Sequence, residues 1–203
     1  MKSNRWFSER PTLLFSVMPF AIALNLSMSY VVNLLKLPVF LDAVGTALIG
    51  CLFGPLPGAL TGALSNIVGG LTINPVLPWF IGTQVLIGAW AGFVTSRGWM
   101  FTWWKSILAG LALGVLSAVI SAPVITYVFG GVTASGAYSL IVAYARATGQ
   151  TLLNSAFLAG LASDPVDKAI TLFLCYLVLT SLPKRLRIRF PWLRKSLARQ
   201  ESS

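Results

Sequence analysis

Residues 39–72 read VFLDAVGTALIGCLFGPLPGALTGALSNIVGGLT, and Asp42 is the only charged side chain among them. Two apolar runs, about 39–53 and 56–72, meet at Gly54-Pro55-Leu56-Pro57-Gly58. Proline interrupts a helix interior and glycine permits a tight turn, so the break predicts a helical hairpin rather than one long helix. The rest of the chain has the same character. Hydrophobic residues make up 56% of its 203 residues and charged residues 10%, and its mean hydropathy is +0.80. A soluble domain carries roughly a quarter of its residues charged. Water is therefore not the main solvent of this chain.

A bilayer core about 30 Å thick is crossed by roughly 20 apolar residues in a helix. Segments of that kind fall at about 11–35, 39–53, 56–72, 77–96, 104–129 and 165–182. The expected fold is an all-α integral membrane protein, a six-transmembrane-helix bundle forming a single membrane domain over residues 1–203, with a basic cytoplasmic tail at 183–203. Between the fifth and sixth spans, Gly130, Gly131, Gly136 and Gly149 interrupt modestly apolar pieces that carry Arg146. A structureless loop of that length is unusual in a compact domain. Short helical external elements, able to cover a pocket, are expected there. The run from Thr151 to Ala162 is too short to cross and is not counted as a span.

Six spans put both termini on one side, and positive charge tests the count independently of hydropathy. Lys2, Arg5, Arg10, Arg97, Lys105, Lys184, Arg185, Arg187, Arg189, Arg194, Lys195 and Arg199 then share one side, while Lys36, Arg146 and Lys168 lie on the other. That excess places both termini in the cytoplasm, with the chain in the cytoplasmic (inner) membrane. Trp99, Trp103 and Trp104 beside Arg97 and Lys105 fit an aromatic belt at the same surface. The first apolar run continues past Ala23 without an isolated cleavage region, which predicts a retained first helix rather than a signal peptide. A net charge of +10 would suggest nucleic acid in a soluble protein. A basic cluster directly after an apolar run instead faces anionic lipid, and no nucleic-acid partner is expected.

Small residues recur every fourth position at Gly58, Gly62, Asn66 and Gly70, at Gly88 and Gly92, and at Gly110, Gly114, Ala118 and Ala122. On helices these form ridges of little bulk, where a neighbouring helix can approach closely. Ala21, Ala23 and Ser27 form a further small-residue strip on the first helix, suited either to packing within the bundle or to a partner helix. Cys51 and Cys175 both fall inside apolar segments and read as packing residues.

Polar groups inside spans are costly unless they are paired or line a cavity, so they are the first candidates for function. Asn25, Asp42, Asn66, Gln84 and Asn154 are of this kind, with Asn74 and Trp79 near the external ends of spans three and four. Ser163-Asp164-Pro165-Val166-Asp167-Lys168 opens the sixth span as a polar knot. Pro165 suits a first helical turn, with Ser163 or Asp164 as cap and Asp167 near the positive helix end. Lys168 is unfavourable at that end and needs Asp164, Asp167, a ligand or water. The candidate substrate-binding set is Asp42, Asn66, Asn74, Trp79, Gln84, Arg146, Asn154, Asp164, Asp167 and Lys168.

Catalysis finds little support. There is no histidine, and of the five acids Glu9 and Glu201 lie in the terminal tails. Asp42, Asp164 and Asp167 alone remain for acid, base or metal chemistry. No glycine-rich loop precedes a Lys-Ser or Lys-Thr pair, so ATP would have to be hydrolysed by another subunit. No enzyme activity, cofactor or bound metal is expected.

Three segments together resemble the substrate-binding S components of energy-coupling factor (ECF) vitamin transporters. They are AIALNLS at Ala21 to Ser27, FLDAVGT at Phe40 to Thr46 and GPLPGALTGALSN at Gly54 to Asn66, and Ser163 to Lys168 is similar to the start of span six in some members. The resemblance implies a membrane protein that captures a small organic micronutrient, such as a vitamin, from outside. It also implies as partners a transmembrane coupling subunit and two cytoplasmic ATPases. In the family an alanine-spaced motif on helix one meets the coupling subunit; here Ala23 and Ser27, or Ala21 and Asn25, carry that spacing. Metal-binding members use an N-terminal histidine segment that this chain lacks, which leaves an organic solute held by Trp79 or Trp90 and by Asn and charged groups. Two alternatives remain open: a self-sufficient secondary transporter of a small solute and a ligand-sensing membrane module.

Overall fold

The computed structural model describes residues 11–35, 39–133 and 136–201. Lys2, Arg5, Arg10 and Lys36, which enter the charge argument above, lie outside these residues. Among the described residues there are nine α-helices and no strand: α1 Pro11–Leu34, α2 Val44–Phe53, α3 Pro55–Thr72, α4 Ile81–Ser96, α5 Trp103–Tyr127, α6 Gly136–Ala147, α7 Leu152–Ser181, α8 Lys184–Arg187 and α9 Pro191–Glu201. Short 3₁₀ turns at Leu77–Phe80 and Trp99–Phe101 lead into α4 and α5. Three stretches, Pro11–Leu34, Leu77–Ser96 and Trp103–Tyr127, are long and apolar enough to cross a membrane.

The hairpin predicted from residues 39–72 is present. Gly54 sits at φ 110°, in the region that favours glycine, and its N–H closes α2 on the Gly50 carbonyl at 2.9 Å. Pro55 then occupies the first turn of α3, where its missing N–H leaves no helical bond unmade. The expected run 39–53 is helical only from Val44; residues 39–43 form the turn that precedes α2.

The small-residue ridges are packing surfaces. A Cβ at Gly88 would lie 2.2 Å from the Gly58 carbonyl, and one at Gly62 would lie 2.5 Å from the Gln84 carbonyl, so α3 and α4 touch backbone to backbone. On the other side of the bundle α5 and α7 run antiparallel. Gly110 abuts Ala169, Gly114 abuts Pro165, and Gly160 faces Ala118. Contact this close relies on shape, the main source of helix association where lipid removes the hydrophobic drive.

The start of the last long helix differs from the sequence expectation. α7 begins at Leu152, capped by Thr151, and runs for 30 residues through Pro165. Ser163, Asp164 and Asp167 are therefore mid-helix side chains rather than caps. The segment from Thr151 to Ala162, set aside as too short to span, forms the first turns of the same helix. A proline resembles a helix start in sequence because it lacks an N–H. Here the helix continues through Pro165, which packs closely on Gly114. The short helical element expected between residues 130 and 163 is α6, packed on α7 through Tyr138 and Val142.

The main apolar core joins α2, α4, α5 and α7 with α1 against it, and a smaller one joins α5, α6 and α7. The basic tail closes the opposite end of the bundle from α6. Trp192 of α9 covers Gly54, and its indole N–H donates to the Gly92 carbonyl at 2.9 Å. Leu193 is fully buried beneath it.

Candidate functional site

A cavity of about 340 Å³ opens at the end of the bundle remote from α9. It lies where α1, α3 and α5 finish and the turn before α4 begins, and α7 passes along it at Asp164 and Lys168. Its apolar wall is aromatic. The rings of Phe80 and Phe129 stack with centroids 6.0 Å apart and 11° between planes, and Phe40 lies 6.4 Å from Tyr138. Tyr138 comes from α6, anchored by a hydrogen bond from its hydroxyl to the Ala156 carbonyl.

The polar wall divides into groups committed to the fold and groups left open. Asn25 is committed. Its amide nitrogen donates to Thr46 Oγ1 at 2.8 Å and Ser65 Oγ at 2.9 Å, while its oxygen accepts from the N–H of Gly45 at 2.7 Å and of Thr46 at 3.3 Å. One side chain so ties α1, α2 and α3. Asn66 donates to the Leu77 carbonyl at 2.9 Å, holding the turn before α4, and the Asn74 oxygen accepts from Val76 N–H at 3.0 Å.

The charged groups form one cluster. Asp167 is fully buried, and its Oδ1 accepts from Phe40 N–H at 2.9 Å and Leu41 N–H at 2.8 Å. Leu41 is held at φ 48°, the one described non-glycine residue in the left-handed region. Asp167 offsets that strain by satisfying two backbone donors at once. Its other oxygen binds the Lys168 ammonium. Lys168 lies 3.7 Å from Asp42 on the far side, and Asp164 faces the cavity beside Ser121. No family model, curated protein or solved structure matches this chain. The site is therefore read from its own chemistry.

Of the ten candidate residues, Asp42, Asn66, Asn74, Gln84, Asp164 and Lys168 line the cavity. The other four do not. Asp167 has its carboxylate taken up by Phe40, Leu41 and Lys168 behind the wall. Asn154 is exposed on the first turn of α7, and Arg146 is exposed on α6. Trp79 is 57% exposed, its ring edge against Phe129 outside the cavity. Trp90, the other indole considered for stacking, donates to the Ala109 carbonyl at 3.0 Å and joins α4 to α5. Phenylalanines and Tyr138 take the place assigned to tryptophan. Of the strip on α1, Ala21 is buried against Gly45 of α2, whereas Ala23 and Ser27 are exposed.

Sequence reasoning missed Ser29, Tyr30, Asn33, Ser65, Thr83 and Ser121, all at the cavity. A signal for part of this set was present. Asn25, Ser29 and Asn33 recur every four residues along an otherwise apolar helix, which places them on one face.

Proposed function

We propose that this chain is the membrane-embedded substrate-binding subunit (S component) of an ECF-type importer. It captures a small organic micronutrient outside and hands it to a coupling subunit powered by two ATPases. The observation that carries the reading is the cavity itself: about 340 Å³, aromatic on one wall and polar on the other, within the size range of small-molecule sites. It sits at the end of the bundle opposite Arg97, Lys105 and the tail. By the positive-inside rule that end is external. We read α2, α3 and α7 as crossing together with the three long apolar stretches. The charges that make α7 unusual as a span are turned inward to one another, as intramembrane charges generally are.

Several features favour this over a self-sufficient carrier. The sequence shows no convincing repeated half, and the described residues no pair of matching broken helices, the usual architecture for alternating access within one protein. The exposed Ala23 and Ser27 on α1 give a low-relief face that a coupling subunit can meet. The exposed Arg185, Arg189, Arg194 and Lys195 suit anionic lipid.

Native mass spectrometry of the protein gently purified from its own membrane tests the proposal. A retained small organic molecule, with a coupling subunit and ATPases in the same preparation, is the expected result. Uptake of that molecule into vesicles by the purified chain alone would overturn it in favour of a secondary carrier.

A further inference from the structure

The cavity also carries information about the charge of what it holds, an inference that rests on the ligand-binding reading above. Most of the side-chain amides on its wall are engaged as donors, while two buried acceptors are left open. The side-chain amides of Asn25, Asn33, Asn66 and Gln84 and the Tyr138 hydroxyl each donate to a protein acceptor. The Lys168 ammonium donates to Asp167 and pairs only at longer range with Asp42. On the acceptor side, Gln84 Oε1 and Asp42 Oδ1 are buried at the wall without a hydrogen-bond partner, and the Thr83 hydroxyl, able to donate or accept, is open beside them. Gln84 is only 2% exposed, and its orientation is fixed because its nitrogen donates to the Asp42 carbonyl at 3.1 Å. The amide oxygen is thus the end left open. At 3.7 Å, Lys168 is beyond hydrogen-bond distance of Asp42 Oδ1.

The charge balance points the same way. Asp167 neutralises Lys168 at close range, which leaves Asp42 and Asp164 facing the cavity with no second cation among the described lining residues. Buried acceptors without donors are costly. A bare metal ion is poorly suited, since among the described residues no three His, Cys, Asp or Glu side chains are grouped to hold one. The aromatic wall calls for an organic body.

We propose that the cavity takes an organic cation: an aromatic or apolar body against Phe80 and Phe129, carrying a protonated nitrogen whose N–H groups are received by Asp42 and Gln84. The ammonium supplies donors to Asp42 Oδ1 and Gln84 Oε1, which the chain alone leaves without one. An anionic ligand places its charge beside the Asp42 and Asp164 side chains.

A charge-matched probe series tests this on the purified full chain in lipid nanodiscs, by titration calorimetry and probe fluorescence: 2-(1-naphthyl)ethylamine, 2-(1-naphthyl)ethanol and 1-naphthylacetate. The amine should bind about tenfold more tightly than the alcohol, the gain expected of one charge-assisted hydrogen bond. The carboxylate should bind weakest. Asp42→Asn should bring amine and alcohol to within about threefold of each other. Should that variant fail to fold, the wild-type ranking decides alone. If the alcohol or the carboxylate binds as tightly as the amine, and Thr83→Trp removes that binding by filling the cavity, the cationic class is overturned while the site stands. If none of the three binds at millimolar concentration, both the class and the cavity's role as a binding site fall.

Discussion

Asn25 and Asp167 show what a buried polar residue does when it serves the fold. Each satisfies several partners at once, and each joins segments far apart in sequence. Asn25→Ala strands Gly45 N–H and removes the partners of Thr46 and Ser65, a loss on the order of 3 kcal/mol. Asp167→Ala is expected to be at least as severe, about 3–5 kcal/mol, because it leaves the Lys168 ammonium buried without its close partner. Asp164→Asn keeps the shape of its side chain and faces the cavity, so its expected effect falls on ligand affinity with little change in melting temperature. Thermal unfolding in detergent, measured beside ligand binding for the three variants, separates the two roles. Sequence alone marks all three residues as polar within apolar surroundings. It does not distinguish them, because, Lys168 apart, the partners of Asn25 and Asp167 lie 20 to 127 positions away.

At the scale of helices, legibility followed locality. The Gly54 turn and the glycine ridges are written within a few residues and read correctly. The start of α7 was misplaced by thirteen residues, from 165 to 152, because Pro165 and its acidic neighbours imitate a capped helix start. The helix runs on through Pro165, which packs against Gly114 fifty-one positions earlier, and no local pattern contains that contact. Gly114→Ala should therefore push α5 and α7 apart. Its Cβ would meet Pro165 Cα at 2.2 Å, a backbone clash that no rotamer relieves. The expected cost is about 1–3 kcal/mol of stability, with weaker ligand binding as Asp164 and Lys168 shift. Ala23→Trp adds far more bulk but lies on an exposed face of α1. It should leave melting temperature and ligand affinity unchanged and abolish uptake in vesicles containing the coupling module. Loss of binding in that variant would return Ala23 to ordinary bundle packing.

The molecule as a whole is polarised along the bundle. One end is sealed by α9 through Trp192 and Leu193 and carries exposed Arg185, Arg189, Arg194 and Lys195. The other end holds the cavity under α6, with Arg146 on its outer surface. Function as a capture protein requires the second end to face outward, and charge sorting predicts that it does. Chemical labelling can test this directly, since the two native thiols, Cys51 and Cys175, are both buried and shielded from a bulky reagent. A membrane-impermeant maleimide applied to intact cells is expected to label Arg146→Cys and to spare Arg189→Cys until the membrane is opened. Labelling of both positions in intact cells would require an odd number of crossings between α6 and the tail to be abandoned, and with it α7 as a span. Labelling of Arg189→Cys alone would invert the molecule. The aromatic cavity would then open to the cytoplasm, where it could receive a solute for export or sense one but could not capture one from outside.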